Sequence, residues 1–280
     1  MALLDFQTAI ARLCINPGFR RRFSAQDNRV LEDLDLTPAE KAALRSLDLE
    51  AVKDYGTDLL HKRMEMIRSW VSSTIAALES RLGSDVVHEI LHQYVESRVR
   101  IDNWVGSEWI RRETQCFLGY LSDQVSNDIG MPYLPDLARY EITMLVLRLD
   151  DPADQDAVAV RLSEDYEPAS LRPKLRSDVR LERFDYDVTA NGASEGAVAD
   201  PPWQPEGKWL LFVRRNVTTV DVHAVTPLLA AALEMCDGLA TIEDILARLI
   251  EKFGLLTDGD IRAQCLDAFR ECFAAQLLCV

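Results

Sequence analysis

At 280 residues the chain is long for one small domain and comfortable for two, and it can bury a large core without disulfides or structural metals. A net charge of −15 suits nucleic acid poorly, because neutralising phosphates dominates that affinity. No window reaches about 18 uncharged apolar residues, and residues 1–12 lack the positive start and apolar run of a secretory signal, so cytoplasmic residence is the expectation.

The first 150 residues read as helical. Asn16-Pro17-Gly18 breaks the first helix from a short second one. Thr37-Pro38-Ala39-Glu40 is a capping box with proline at the first helical position, where its missing N–H costs nothing. Apolar residues at helical spacing, among them Leu59, Leu60, Met64, Ile67, Val71, Ile75 and Leu78, predict one helix over 49–80. Gly83-Ser84-Asp85 ends it and starts another through His88, Leu91 and Val95. Further helices are predicted over 107–126 and 136–149. The polar run 150–156 is the first domain boundary.

After it the period changes. Residues 179–188 alternate polar and apolar, but Val179 and Leu181 share one face whereas Phe184, Tyr186 and Val188 share the other. This predicts a strand bulged near Glu182-Arg183. Residues 189–207 hold three prolines and three glycines and read as a long loop or lid. Residues 209–213 and 217–222 predict a hairpin around Arg214-Arg215-Asn216. Thr226-Pro227 then caps a helix to Cys236, Gly238 stops it, and Thr241 caps the next helix to Phe253. A last helix is predicted over 258–277. The fold class is therefore α+β: a helical domain over 1–150, a connector with one strand and a long loop over 151–207, and a winged-helix-like domain with a small antiparallel sheet over 208–280.

His88-Glu89-Ile90-Leu91-His92 is an HExxH pattern, which on a helix sets two imidazoles on one face with a glutamate to activate metal-bound water. Catalytic zinc needs a third protein ligand. The other histidines are His61 and His223, and Glu96, Glu108 and Glu113 are the weak candidates for that ligand. A zinc metallohydrolase is the alternative enzyme reading; two ordinary helix histidines are the plainer one. Gly192-Ala193-Ser194-Glu195-Gly196 matches the nucleophile elbow in letters only, since Pro201 and Pro202 follow where a helix is required. Six scattered cysteines show no metal spacing, and Cys279 beside the C-terminus is expected to be exposed. Cys236 at a helix end reads as structural. Arg20-Arg21-Arg22 reads as a solvated helix end, the five tryptophans as core or interface anchors, and Arg214 and Arg215 as a solvated turn or, alternatively, as turn residues able to meet acidic peptide side chains.

Two stretches carry a family resemblance. Residues 228–250, with Cys236-Asp237-Gly238 and Thr241 inside them, resemble the helical half of PqqD-type domains, the recognition elements that bind leaders of ribosomally made precursor peptides. The N-terminal half resembles the HvfC/MbnC/TglI group of partner proteins. The matching residues are Phe6, Ala9, Ile10, Asn16-Pro17-Gly18-Phe19, Leu36-Thr37-Pro38-Ala39-Glu40, Ala51, Tyr55, Leu59, Lys62-Arg63 and the run 132–141. That group works beside multinuclear non-haem iron enzymes that rework peptide cysteines. The resemblance implies a non-catalytic partner that binds a precursor leader and presents its cysteine to an oxidative enzyme, as in 3-thiaglutamate-type or methanobactin-like pathways. No cofactor is expected in this chain, and iron belongs to the partner.

Peptide capture by strand addition needs an unpaired edge. The expected edge is Val217, Thr218, Thr219, Val220, Asp221, Val222 and His223, with Ile261, Cys265, Leu266 and Phe269 of the last helix forming an apolar groove beside it. In the plainer alternative residues 189–207 cover that strand. A winged-helix scaffold or transcription regulator is the remaining class.

Overall fold

Residues 2–97, 106–126, 128–150, 168–189, 201–254 and 259–280 are described by a computed structural model, and they fall into two compact units divided between Ile129 and Gly130. The architecture is mixed α+β, mostly helical, with eleven α-helices and two small antiparallel sheets among the described residues. None of these helices is long and apolar enough to cross a membrane.

Local capping sets the helix starts in the first unit. Asn16 Oδ1 accepts the Phe19 N–H and separates α1 (Ala2–Ile15) from α2 (Pro17–Ser24). Thr37 and Glu40 form the reciprocal capping box of α3 (Pro38–Arg45), an N-cap worth about 1 kcal/mol. The long apolar stripe over 49–80 serves two helices, not one: α4 (Leu49–Trp70) and α5 (Ser72–Leu82) meet at Val71, whose φ of −129° and ψ of 52° break the helix. Both keep the stripe inward, with Met64, Ile67, Ile75 and Leu78 buried, so the pattern shows no gap.

Next come α6 (Ser84–Ser97) and α7 (Ser107–Tyr120), the latter continued by a π turn over Leu121–Val125. Tyr94 of α6 lies edge-on to Phe117 at 5.1 Å and donates to the Glu113 carbonyl. The Trp70 and Trp109 rings also meet edge-on, at 5.3 Å. Gly56 of α4 lies against the end of α1, where an added Cβ would sit 1.9 Å from the Cys14 carbonyl oxygen.

In the second unit α8 (Leu134–Leu149) packs on the sheet strands, so the division by contact falls one helix before the sequence boundary at 150. The main sheet is an antiparallel meander of β2 (Val179–Tyr186), β3 (Trp203–Arg214) and β4 (Val220–Val225). Val179, Leu181, Leu211 and Val213 share one face and join a core with α9 (Pro227–Glu234), α10 (Ile242–Phe253) and α11 (Gly259–Ala274). Phe184, Leu210 and Phe212 share the other face, where Tyr140 of α8 lies 6.3 Å from the Phe184 ring and 5.5 Å from the Phe212 ring. Covering both faces explains the continuous apolar run 210–213, which is buried throughout.

The bulge in β2 falls between Phe184 and Tyr186, not at Glu182-Arg183. Asp136 of α8 decides its place: its Oδ2 accepts the N–H groups of Asp185 at 2.6 Å and Tyr186 at 3.0 Å, the two amides the bulge frees. Residues 203–207, expected in the loop, belong to β3. A second sheet, which no sequence pattern marks, pairs β1 (Lys174–Leu175) with β5 (Leu278–Cys279) and buries Cys279 instead of exposing it. Helix α9 ends at Glu234, so Gly238 does not stop it; with φ of 82°, Gly238 turns the chain so that its N–H reaches the Pro173 carbonyl. Thr226 caps α9, and Thr241 with Asp244 forms the capping box of α10.

Candidate functional site

β4 is one outer strand of the meander and pairs with β3 alone among the described residues. The Arg214 N–H donates to Asp178 on the β2 side, and the Arg215 N–H donates to Thr219 on the β4 side. Alternation along an antiparallel pair then fixes the rest. Arg214, Phe212 and Leu210 bond toward β2, so their partners Val220, Val222 and Ala224 turn their N–H and C=O groups outward. Asp221 and His223 bond inward to Val213 and Leu211.

The expected edge is thus offset. Val220, Asp221, Val222 and His223 lie in the strand, whereas Val217, Thr218 and Thr219 do not. Asn216 Oδ1 accepts the N–H groups of Thr218 and Thr219 at 2.9 and 2.8 Å and holds these residues in the turn. Ala224 and Val225, which the sequence reading left out, complete the strand.

β2 is the opposite outer strand, and several of its outward groups are taken. Arg180 donates to the Val179 carbonyl, Arg139 donates to the Arg183 carbonyl, and Asp136 accepts the Asp185 N–H. Of the two edges, β4 is the one that no side chain blunts among the described residues.

Two pockets lie at the ends of β4. At its C-terminal end Thr226, Leu228 and Leu229 face Cys265, Ala268, Phe269 and Cys272 across an apolar groove of about 250 Å³. Of the predicted groove residues, Cys265 and Phe269 line it and Leu266 packs against the core beneath; the side chain of Ile261 lies outside the described residues. Burial pushes the thiols upward, Cys272 to about 11 and Cys236 beneath it to about 12, so they are inert apolar packing at neutral pH. Helical spacing marks Leu228 and Leu229 as apolar, but only the structure opposes them to α11.

At the hairpin end Arg176, Asp178, Arg214, Arg215, Asn216 and Val217 meet Ala275 and Gln276, just past α11, around a polar pocket of about 390 Å³. Arg176 grips Asp178 with two bonds, at 3.0 and 2.8 Å. Arg214 is buried and donates to the Asp150 carbonyl, contrary to a solvated turn. Arg215 is exposed and pairs with Asp221 at 2.7 Å. The arrangement offers an apolar groove just past one end of β4 and a guanidinium-rich pocket just before the other, neither lined by a residue of β4 itself.

The HExxH residues lie on α6 in the other unit. His88 and His92 line a pocket of about 310 Å³ with His61, Cys14 and Glu96; Glu89 does not line it and accepts from Gln93 at 2.8 Å. The other proposed third ligands are engaged elsewhere. Glu113 holds Arg63 through both oxygens at 2.7 Å, and Glu108 pairs with Arg112. Arg20 donates to the Leu13 and Cys14 carbonyls and ties down the end of α1. Among the described residues no group of three His, Cys, Asp or Glu side chains is placed to hold a metal ion. The Gly192–Gly196 motif lies outside the described residues.

No protein-family model matches the chain, and no curated protein matches it significantly.

Proposed function

We propose that the chain is a peptide-reading partner subunit. An extended segment of a ribosomally made precursor adds to the outer edge of β4, and the chain presents the precursor's cysteine to a separate iron-dependent oxidative enzyme. The supporting observation is the edge itself: Val220, Val222 and Ala224 turn backbone groups outward between an apolar groove and a polar pocket, both bordered by α11 or the residues just past it. Six residues of strand span roughly 17 Å, enough to register a short linear motif. Main-chain bonds supply affinity, and the pockets select side chains.

The β3–β4 hairpin followed by α9, α10 and α11 agrees with the order that the resemblance to a winged-helix, PqqD-like module implies. On this reading the leader carries an apolar residue for the Leu228–Phe269 groove and an acidic residue for Arg215. The iron ligands belong to the partner enzyme, and this chain is not itself catalytic.

The test begins with the neighbouring genes. A short cysteine-bearing peptide encoded beside this gene, with an iron oxidase, should bind the purified full chain in fluorescence anisotropy. Proline at Ala224 or Val220 should weaken that binding about tenfold. A precursor that binds the proline variants as tightly as the wild type docks elsewhere, and the reading fails.

A further inference from the structure

Three of the four histidines in the chain line a single pocket of the first unit, and the fourth, His223, lies on β4. His88, His92 and Glu96 recur every four residues along α6 and so form one stripe on its surface. Thr57, His61 and Met64 form the facing stripe of α4, which packs on α6. The buried side of α6 is a different set, Val87, Leu91, Tyr94 and Val95. The imidazoles are therefore not core histidines. His61 and His88 are exposed, and no hydrogen bond or ion pair holds either ring among the described residues. The His92 Nδ1 lies 3.7 Å from a Glu96 oxygen, the pairing that steadies a metal-binding imidazole or supplies a further ligand.

We propose that His61, His88 and His92, with Glu96, form a binding site for a borderline transition-metal ion such as Zn²⁺ or Ni²⁺, and that the ion clamps α4 to α6. Three neutral imidazoles and a carboxylate are the donor set such ions prefer, and they suit Ca²⁺ or Mg²⁺ poorly. As placed, the donors do not converge on one point. Exposed side chains change rotamer within nanoseconds, and the proposal requires the His61 and His88 rings to turn toward His92 when the ion arrives. The site is not a hydrolase centre, because Glu89, the base that an HExxH hydrolase needs, lies off the pocket. Nor does it depend on peptide capture at β4.

The experiment uses the untagged full chain, stripped with chelator and titrated with zinc by calorimetry, with metal content read by mass spectrometry. About one zinc per chain should bind, and at about a hundredfold excess over Kd it should raise Tm by several degrees. His61→Ala and His61→Gln should each weaken binding about tenfold or more and abolish the Tm shift, whereas His223→Ala should change neither. Circular dichroism of the exposed-site variants without metal checks that they fold. Three results would overturn the site: no zinc retained, wild-type affinity in His61→Ala, or zinc still bound when His61, His88 and His92 are all alanine.

Discussion

Proline at two positions of β4 separates the ladder from the edge. The Asp221 N–H points inward at Val213, so Asp221→Pro removes a ladder bond and leaves the buried Val213 carbonyl without that donor. An unsatisfied buried carbonyl costs about 1–3 kcal/mol, and the lost Arg215 pair, being exposed, adds at most about 1 kcal/mol. A loss near 3 kcal/mol is expected, measured by urea denaturation. The Ala224 N–H points outward and its side chain is exposed, so Ala224→Pro should change stability by less than about 0.5 kcal/mol. It also removes a donor that an added strand would use and sets the ring in its place. The lost bond is worth about 0.5–1.5 kcal/mol, so with the ring in the way affinity for the precursor should fall about tenfold, read by anisotropy. If Ala224→Pro destabilises the fold as much as Asp221→Pro, the assignment of outward and inward groups is wrong. If it leaves both stability and peptide affinity untouched, the edge is not the docking site.

Three further outcomes follow from named contacts. Gly56→Ala, which in an open helix would stabilise by about 1 kcal/mol, should destabilise by about 1–3 kcal/mol in chemical denaturation. Its Cβ would lie 1.9 Å from the Cys14 carbonyl oxygen, and backbone must move to admit it. Asp136→Ala strips the acceptor from two bulge amides and should cost about 2 kcal/mol by the same measurement. Acid should weaken the fold through carboxyls held below their usual range. Glu40 and Asp244 are lowered by bonds from Thr37 and Thr241. Burial raises Asp187, but bonds from Lys208 and Thr189 outweigh it. Because these folded values are depressed, their contribution is complete above the unfolded carboxyl range, at about pH 4, and is lost as pH falls through the folded values. Tm against pH should be flat above about pH 5 and fall below about pH 4. Asp136, raised by burial, has the opposite sign, so Asp136→Ala should steepen that fall.

What the sequence revealed was mostly what neighbours along the chain decide. Thr37 with Glu40, Thr226, and Thr241 with Asp244 each bond residues three apart, so their motifs announced the right helix starts. The change of face after Leu181 that suggested a bulge near Glu182-Arg183 is ordinary alternation in a strand covered on both faces, and the real bulge lies after Phe184. Its place was set by Asp136, 49 residues before Asp185, and no local signal carries that. The strand offset in β4 has a local cause: Val217, Thr218 and Thr219 are good strand formers, but Asn216 bonds two of their amides and the turn prevails. The pairing of Lys174–Leu175 with Leu278–Cys279 joins two-residue strands about a hundred positions apart, too short to mark a period. Sequence names His61 only as one of two other histidines, because its helix neighbours Thr57 and Met64 carry no metal signal. The three histidines share a pocket only once α4 packs on α6.

Proteins blunt exposed sheet edges because a row of unpaired amides invites other chains. Here one edge is treated that way and the other is not. On β2 the outward carbonyls of Val179 and Arg183 accept arginine donors and Asp136 takes the Asp185 amide. β4 carries neither proline nor lysine, and its outward groups at Val220, Val222 and Ala224 have no protein partner among the described residues. Its acidic side chain, Asp221, is held by Arg215 on the inner register and does not guard the edge. A chain able to protect β2 with three side chains could have protected β4 in the same way. The unguarded strand has an apolar groove near one end and an arginine-lined pocket near the other, and that contrast supports the proposed docking of a peptide at this edge.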